Sequence, residues 1–312
     1  MSSPLYIIVK AEKGAVFVHW LQNFADNQDK IEESNSKNLP YTLGHNKYSN
    51  LNSEEFKVAV GLGLAKPESL EGPSKIHEAA NATATSVDWV SAGAVTGVKD
   101  QGQCGSCWSF SATGALEGAY KLKTGSLKAF SEQNLVDCDT FRNGGRDMGC
   151  NGGLMDSAFS WTKKNGGLCS EETYPYISGT TKTSGTCTQG TSCTLDAKVA
   201  PTSYTDVQKS SDSAMMSALE QQPVAIAIQA DQTAFQLYKS GVFTGECGTG
   251  LDHGVLAVGY GTMDGSDYYK VKNSWGASWG MDGYILLGRG SEYNNGAGQC
   301  GMLTGPPSYP NL

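Results

Sequence analysis

All nine cysteines of this 312-residue chain lie at or after Cys104. That division constrains the fold more than any other feature. Covalent staples can act only on the later part, and the front must fold without them. The count is odd, so one cysteine stands outside any internal set of pairs. The stretch Gln101-Gly102-Gln103-Cys104-Gly105-Ser106-Cys107-Trp108-Ser109-Phe110 points to which one. Cys107 falls where a glycine-containing loop turns into a helix, six residues after Gln101. A helix N-terminus carries unpaired N–H groups and about half a positive charge, which favours an anion. The thiolate is the nucleophilic form of cysteine, and this placement is expected to lower a thiol pKa from about 8.5.

A nucleophilic cysteine needs a base. The chain has four histidines, His19, His45, His77 and His253, and only His253 lies beyond residue 80. It opens the apolar, strand-length run His253-Gly254-Val255-Leu256-Ala257-Val258-Gly259-Tyr260, where a side chain at the mouth can face a cleft. A second β-rich run, Tyr268-Tyr269-Lys270-Val271-Lys272, leads to Asn273-Ser274-Trp275-Gly276. Cys104 and Cys107 also form a C-x-x-C, which elsewhere marks redox or zinc sites. A redox site wants a βαβ unit, and no strand-like run directly precedes residue 104. A zinc site wants a second close cysteine pair or paired histidines, and neither is present. Cys104 therefore reads as structural.

Cys104-Gly105-Ser106-Cys107-Trp108 followed by His253 and Asn273-Ser274-Trp275-Gly276 resembles the papain family of cysteine proteases. The resemblance covers the chain from about residue 83 onward, where Val87-Asp88-Trp89 opens the family's catalytic part. It implies an α+β, papain-like two-lobe fold, with a helical lobe over about 83–199 and a β-rich, barrel-like lobe over about 200–312. By resemblance Cys107 is the nucleophile and His253 its base, and Asn273 orients the imidazole while Trp275 shields that bond. The Gln101 side chain and the Cys107 N–H would form the oxyanion hole. Donors of this kind contribute about 2.7–4 kcal/mol each in comparable hydrolases. For the substrate side chain two positions before the cut, the implied pocket has Leu154, Met155, Ala227 and Gly254 as walls and Gly305 as floor. Gly153 would pair its backbone with the substrate strand, and Asp252 and Trp275 complete the substrate-binding set. A glycine floor and apolar walls suit Phe or Leu and offer no carboxylate to a cation. The family also implies the pairs Cys104–Cys150, Cys247–Cys300 and Cys138–Cys187, which leaves Cys169 with Cys193. Spacing alone permits about a hundred pairings of eight cysteines, and a swap among the last four stays open.

Residues 1–82 resemble an inhibitory prodomain of the cathepsin L group. Phe24, Asn27, Ile31 and Asn35 are spaced three, four and four, the second half of that group's helix signature. Val16 and Trp20 replace the expected Glu and Arg. In Gly44-His45-Asn46-Lys47-Tyr48-Ser49-Asn50, Tyr48 stands for the usual Phe and Asn50 for the usual Asp, so an acid-titratable carboxylate is lost. The apolar stretch at residues 5–9 has no charged n-region, and the start reads as truncated or misjoined. Asn81-Ala82-Thr83 is a glycosylation sequon.

Within the later part, helices are predicted over 107–123, from Ser131, and over 154–164. Strands are predicted near 224–230, 255–260, 268–272 and 284–287, and a surface loop over 288–301. Net charge is −8 with pI near 5.1, which argues against nucleic acid as a partner. No apolar run reaches the length of a membrane span. The expectation is a monomeric zymogen of a cysteine endopeptidase, lysosomal, vacuolar or secreted. It would act on protein and peptide substrates, need no metal or organic cofactor, and hold its own prodomain as intramolecular inhibitor. Two rival readings fit the residues less well. A binding or storage homologue would have lost the nucleophile or the histidine, and both are present. An exopeptidase of the cathepsin B type would carry a histidine-bearing occluding loop, and His253 is the only histidine after residue 80.

Overall fold

The computed structural model describes residues 4–64, 75–305 and 307–312, with side chains from residue 16 onward. The chain enters through a long helix, α1 (Pro4–Asn35), and the apolar stretch at 5–9 lies where its side chains fall outside the described residues. Asparagines on α1 act as stand-ins for backbone. Asn27 Nδ2 donates to the carbonyls of Ser49 and Leu51, each at 3.0 Å. Asn35 brackets Leu43, accepting its N–H at 2.9 Å and donating to its carbonyl at 3.0 Å. Leu43 belongs to β1 (Tyr41–Leu43), so these amides fix a strand and a loop to the helix. Ile31 is buried between them. Phe24 instead stacks on His45 at 4.0 Å, and Val16 and Trp20 are exposed. A capping box of Asn52 and Glu55 starts α2 (Ser53–Ala59). Residues Lys75–His77 form β2.

The later part opens with β3 (Val87–Asp88) and then α3 (Cys107–Thr124), which ends at Gly125 in the left-handed conformation. Next come α4 (Glu132–Cys138), whose first-turn Asn134 N–H is accepted by Ser131, and α5 (Met155–Asn165), closed by Gly166. A short α6 (Ser178–Thr181) completes this lobe. Its core gathers Trp108, Phe130, Phe159 and Trp161.

The rest of the chain is β-rich. It comprises β4 (Ser203–Val207), α7 (Asp212–Leu219), β5 (Val224–Ile228), α8 (Thr233–Gln236) and β6 (Tyr238–Phe243). Then follow β7 (His253–Met263), β8 (Ser266–Lys272), β9 (Tyr284–Gly288) and β10 (Ser308–Asn311). The ten strands form one sheet in the order β1-β6-β9-β8-β7-β5-β10-β4-β2, with β3 on β7. Both ends of that order come from the front segment: β1 pairs antiparallel with β6, and β2 pairs parallel with β4. The front segment thus covers edges that would otherwise present unpaired backbone groups.

An aromatic core of Phe235, Tyr238, Phe243, Trp275 and Trp279 fills the β-rich lobe, and Tyr48 and Phe56 of the front segment belong to the same cluster. The architecture is the expected α+β arrangement behind a helical front segment. The lobes meet where α3 lies on β7, with Ser111 Oγ donating to the Val255 carbonyl at 2.7 Å. Disulfides join Cys104 to Cys150, Cys138 to Cys187, Cys169 to Cys193 and Cys247 to Cys300. One expectation needs correcting. The 288–301 stretch is not simply a surface loop, because Gln299 and Cys300 are buried at its end and the Cys300 carbonyl accepts the Gln229 N–H at 2.9 Å.

Candidate active site

Cys107 is the first residue of α3 and the only free cysteine, and it is buried. His253 is the first residue of β7, so the α3–β7 contact that joins the lobes also brings thiol and imidazole to one place. Backbone groups of Trp108 and Gly254 reach the Cys107 sulfur, and so does Gly63 of the front segment. The His253 Nε2–H donates to Asn273 Oδ1 at 2.8 Å. Trp275 stacks on the imidazole with centroids 4.8 Å apart. With the proton on Nε2, Nδ1 is left as the basic nitrogen, and among the described residues it has no hydrogen-bond partner.

The helix N-terminus predicts a lowered thiol pKa, and the structure reverses that expectation for this form. Burial pushes the Cys107 thiol up, against the lowering effect of the backbone groups around it. Burial likewise pulls His253 down to about 4, opposed by its bond to Asn273. Both groups are therefore held neutral while the cleft is closed.

What closes it is the front segment. Ser274 Oγ donates to Gln101 Oε1 at 2.6 Å, which turns the Gln101 amide toward the cleft. There Gln101 Nε2 meets the carbonyls of Val60 at 3.0 Å and Gly61 at 3.1 Å, besides that of Cys104 at 3.0 Å. Two residues on, the Gly153 N–H donates to the Gly63 carbonyl at 3.2 Å, and the Leu64 N–H donates to the Asp252 carbonyl at 3.3 Å. Leu64 and Gly153 pair in parallel. The approach is close enough to demand glycine: a Cβ on Gly63 would lie 2.2 Å from the Gly105 carbonyl oxygen. Gly61 has φ +54° and equally little room, its Cβ falling 2.6 Å from Cys104.

The expected pocket residues also converge. Ala227 is opposite Gly254 in the β5–β7 register. Met155 Sδ is 3.2 Å from where a Gly254 Cβ would be, and a Cβ on Gly305 would meet Leu251 at 2.8 Å and Ala227 at 3.5 Å. Leu154 is half-buried beside them. The Asp252 carboxyl turns away to accept the Ala230 N–H at 2.8 Å, and burial raises it to about 7. Leu251 escaped the reading of the sequence, as did Ser274 as the clamp on Gln101. Tyr176 escaped as well: its hydroxyl joins Ser106 Oγ at 2.7 Å and the Gln101 carbonyl at 2.8 Å. Ser274 could have been found inside its motif. Tyr176 lies too far along the chain for any local signal.

Comparison with known proteins places the chain in a family. A family model for papain family cysteine proteases matches residues 83–309, and one for the cathepsin propeptide inhibitor domain (I29) matches residues 12–56. The chain belongs to the papain family of cysteine proteases. The probable cysteine protease RD21B of Arabidopsis thaliana is 48% identical over 290 residues, which is 92% of this chain and 59% of that protein. The KDEL-tailed cysteine endopeptidase CEP2 of the same plant is 43% identical, over 92% of this chain and 78% of its own. The proform of the Amb a 11 cysteine protease, a ragweed pollen allergen, superposes with a TM-score of 0.81 at 35% identity, covering 100% of this chain and 90% of that one. This papain-family chain thus spans less than two thirds of the RD21B length.

Proposed function

We propose that the chain is the zymogen of a papain-type cysteine endopeptidase, inhibited by residues 1–82 and active through the unit at 83–312. The observation that carries this reading is the course of Val60–Leu64 over Gln101, Cys107 and Gly153, where the backbone occupies the positions a peptide substrate would need. The segment pairs with Gly153 in parallel, so its scissile bonds run opposite to an antiparallel substrate and do not present a carbonyl carbon for attack in the same sense.

Once the segment leaves, water returns to the cleft and the burial that holds thiol and imidazole neutral is relieved. His253 Nδ1 then takes the Cys107 proton, and the thiolate attacks the substrate carbonyl carbon. The resulting oxyanion is held by Gln101 Nε2 and the Cys107 N–H. The imidazolium gives its proton to the leaving amine as the C–N bond breaks, leaving a thioester. His253 next removes a proton from water, which attacks the thioester and releases the acid. Leu154, Met155, Ala227, Gly254 and Gly305 would receive a large apolar side chain two positions before the cut. Folding with four disulfides fits an oxidising route to a vacuolar, lysosomal or extracellular destination.

Acid-treated full-length protein should cleave an N-blocked fluorogenic dipeptide, and Cys107→Ser should abolish that cleavage. Residual cleavage by the serine variant above about one part in a thousand would contradict the assignment.

A further inference from the structure

We propose that Asp139 and Asp147 form a proton-sharing carboxyl pair that positions the Gly153–Leu154 peptide against which the substrate strand pairs. The proposal rests on the reading of Gly153 as the substrate-pairing residue and adds the device that holds it. Both carboxyls are buried, at 0% and 3% exposure. Each commits one oxygen to the backbone: Asp139 Oδ1 accepts the Arg146 N–H at 3.1 Å, and Asp147 Oδ1 accepts the Leu154 N–H at 2.9 Å. The second oxygen of each has no donor among the described residues. The two residues are neighbours, Thr140 pairing with Asp147 as an isolated bridge, and two buried carboxyls that meet without another donor can bond only by sharing one proton.

The pair lies directly beneath the cleft wall. A Cβ on Gly153 would fall 2.8 Å from the Asp147 Cγ and 2.5 Å from the Trp108 ring. Because a peptide is planar and trans, turning the Leu154 N–H down onto Asp147 turns the Gly153 carbonyl the opposite way, toward the cleft. Leu154 keeps an extended backbone there, with φ −134° and ψ 144°. Losing the shared proton would leave two buried anions in contact, which drives them apart and releases the Leu154 anchor.

Charged groups on the surrounding elements set the direction. Asp156, on the first turn of α5, adds further negative charge. Lys164 at the other end of α5 is bound to the Gly144 carbonyl at 3.1 Å. Arg146 contributes its backbone N–H. Asp137 on α4 is engaged by Gln133 and Gly185. Burial raises Asp139 to about 6, and burial together with repulsion from Asp139 lifts Asp147 well above the carboxylate range. A raised carboxyl pKa means that the anchor is intact in acid and lost as pH rises through that range. The grip on substrate is therefore tuned to an acidic compartment.

The test compares full-length wild type, Asp147→Asn, Asp139→Asn and Asp147→Ala, each matured in acid, with active sites counted by an epoxide thiol-protease inhibitor. KM and kcat for an N-blocked Phe-containing dipeptide are measured from pH 4.5 to 8. Wild-type KM should rise roughly two- to tenfold toward pH 8, the value of one backbone hydrogen bond. Asp147→Asn should lose that rise, because its amide donates to Asp139 and accepts from Leu154 at every pH. Asp147→Ala should show the high KM throughout. Superimposable KM profiles for wild type and Asp147→Asn would overturn the proposal. Should Asp147→Asn fail to mature, Asp139→Asn is read in the same way, and failure of both would make the pair a requirement of folding and overturn the positioning role. A wild-type protein without any peptidase activity would instead contradict the proposed function itself.

Discussion

Phe56 of the inhibitory segment meets Trp275 of the catalytic unit edge to face, with ring centroids 5.3 Å apart. Trp275 is the ring that stacks on His253, so one side chain of the front segment rests on the residue that covers that imidazole. Tyr48 joins the same cluster at 6.1 Å from Trp275. The front segment thus makes two kinds of contact, an aromatic anchor in the β-rich lobe and a glycine-bearing strand across the cleft. Removing a buried phenyl costs about 3–5 kcal/mol. Phe56→Ala should therefore activate at least roughly a hundredfold faster than wild type when full-length protein is moved to mild acid. Equal activation rates would show that the anchor contributes nothing to latency.

Gln101 is held by Ser274 on one side and offers its N–H groups to the cleft on the other. Gln101→Ala should lower kcat by roughly 10²–10³ while leaving KM nearly unchanged, since the missing donor acts on the developing oxyanion. A change confined to KM would argue that Gln101 binds substrate and does not stabilise the transition state.

Beside Gly305 lie Leu251 and Ala227, Met155 lies against Gly254, and the nearby Asp252 carboxyl is bound to the Ala230 N–H. Dipeptides with Phe or Leu two positions before the cut should exceed their Arg counterpart roughly 10–200-fold in kcat/KM. Faster cleavage of the Arg substrate would place the pocket elsewhere.

His77 ties β2 to the catalytic unit, its ring bonding to the Tyr309 hydroxyl at 3.0 Å and to Ser217 Oγ at 2.7 Å. Burial lowers its pKa below 6.5 in the docked state. Between the free and docked values the detached segment binds the proton and the docked one does not, so docking is strong above about 6.5 and weakens as pH falls through that window. Activation rates of His77→Gln should depend less steeply on pH between 7 and 5 than those of wild type. An unchanged slope would remove His77 from the acid response.

Much of the candidate site was legible because each of its residues sits in a short run whose neighbours are themselves constrained. Cys107 follows a glycine-bearing loop and opens a helix, His253 opens a strand, and Asn273 closes one. Other features depended on the fold. Gly61 and Gly63 look unremarkable until they are found against Cys104 and Gly105. Asp139 and Asp147 are separated by the Gly144-Gly145 turn, and nothing local marks them as partners. The start of α5 falls at Met155 and not at Leu154, because Leu154 is held extended by Asp147. The thiol pKa went the other way because the helix N-terminus can be read from a sequence, whereas burial beneath another segment of the same chain cannot.

The central claim is that Cys107 is the nucleophile and that the front segment masks it. It is tested most directly by treating full-length protein with an epoxide thiol-protease inhibitor before and after acid maturation, then mapping the label by mass spectrometry. The account predicts almost no label before maturation and stoichiometric label on Cys107 alone afterwards. Full labelling of the unprocessed chain, or label on Cys104, would contradict it.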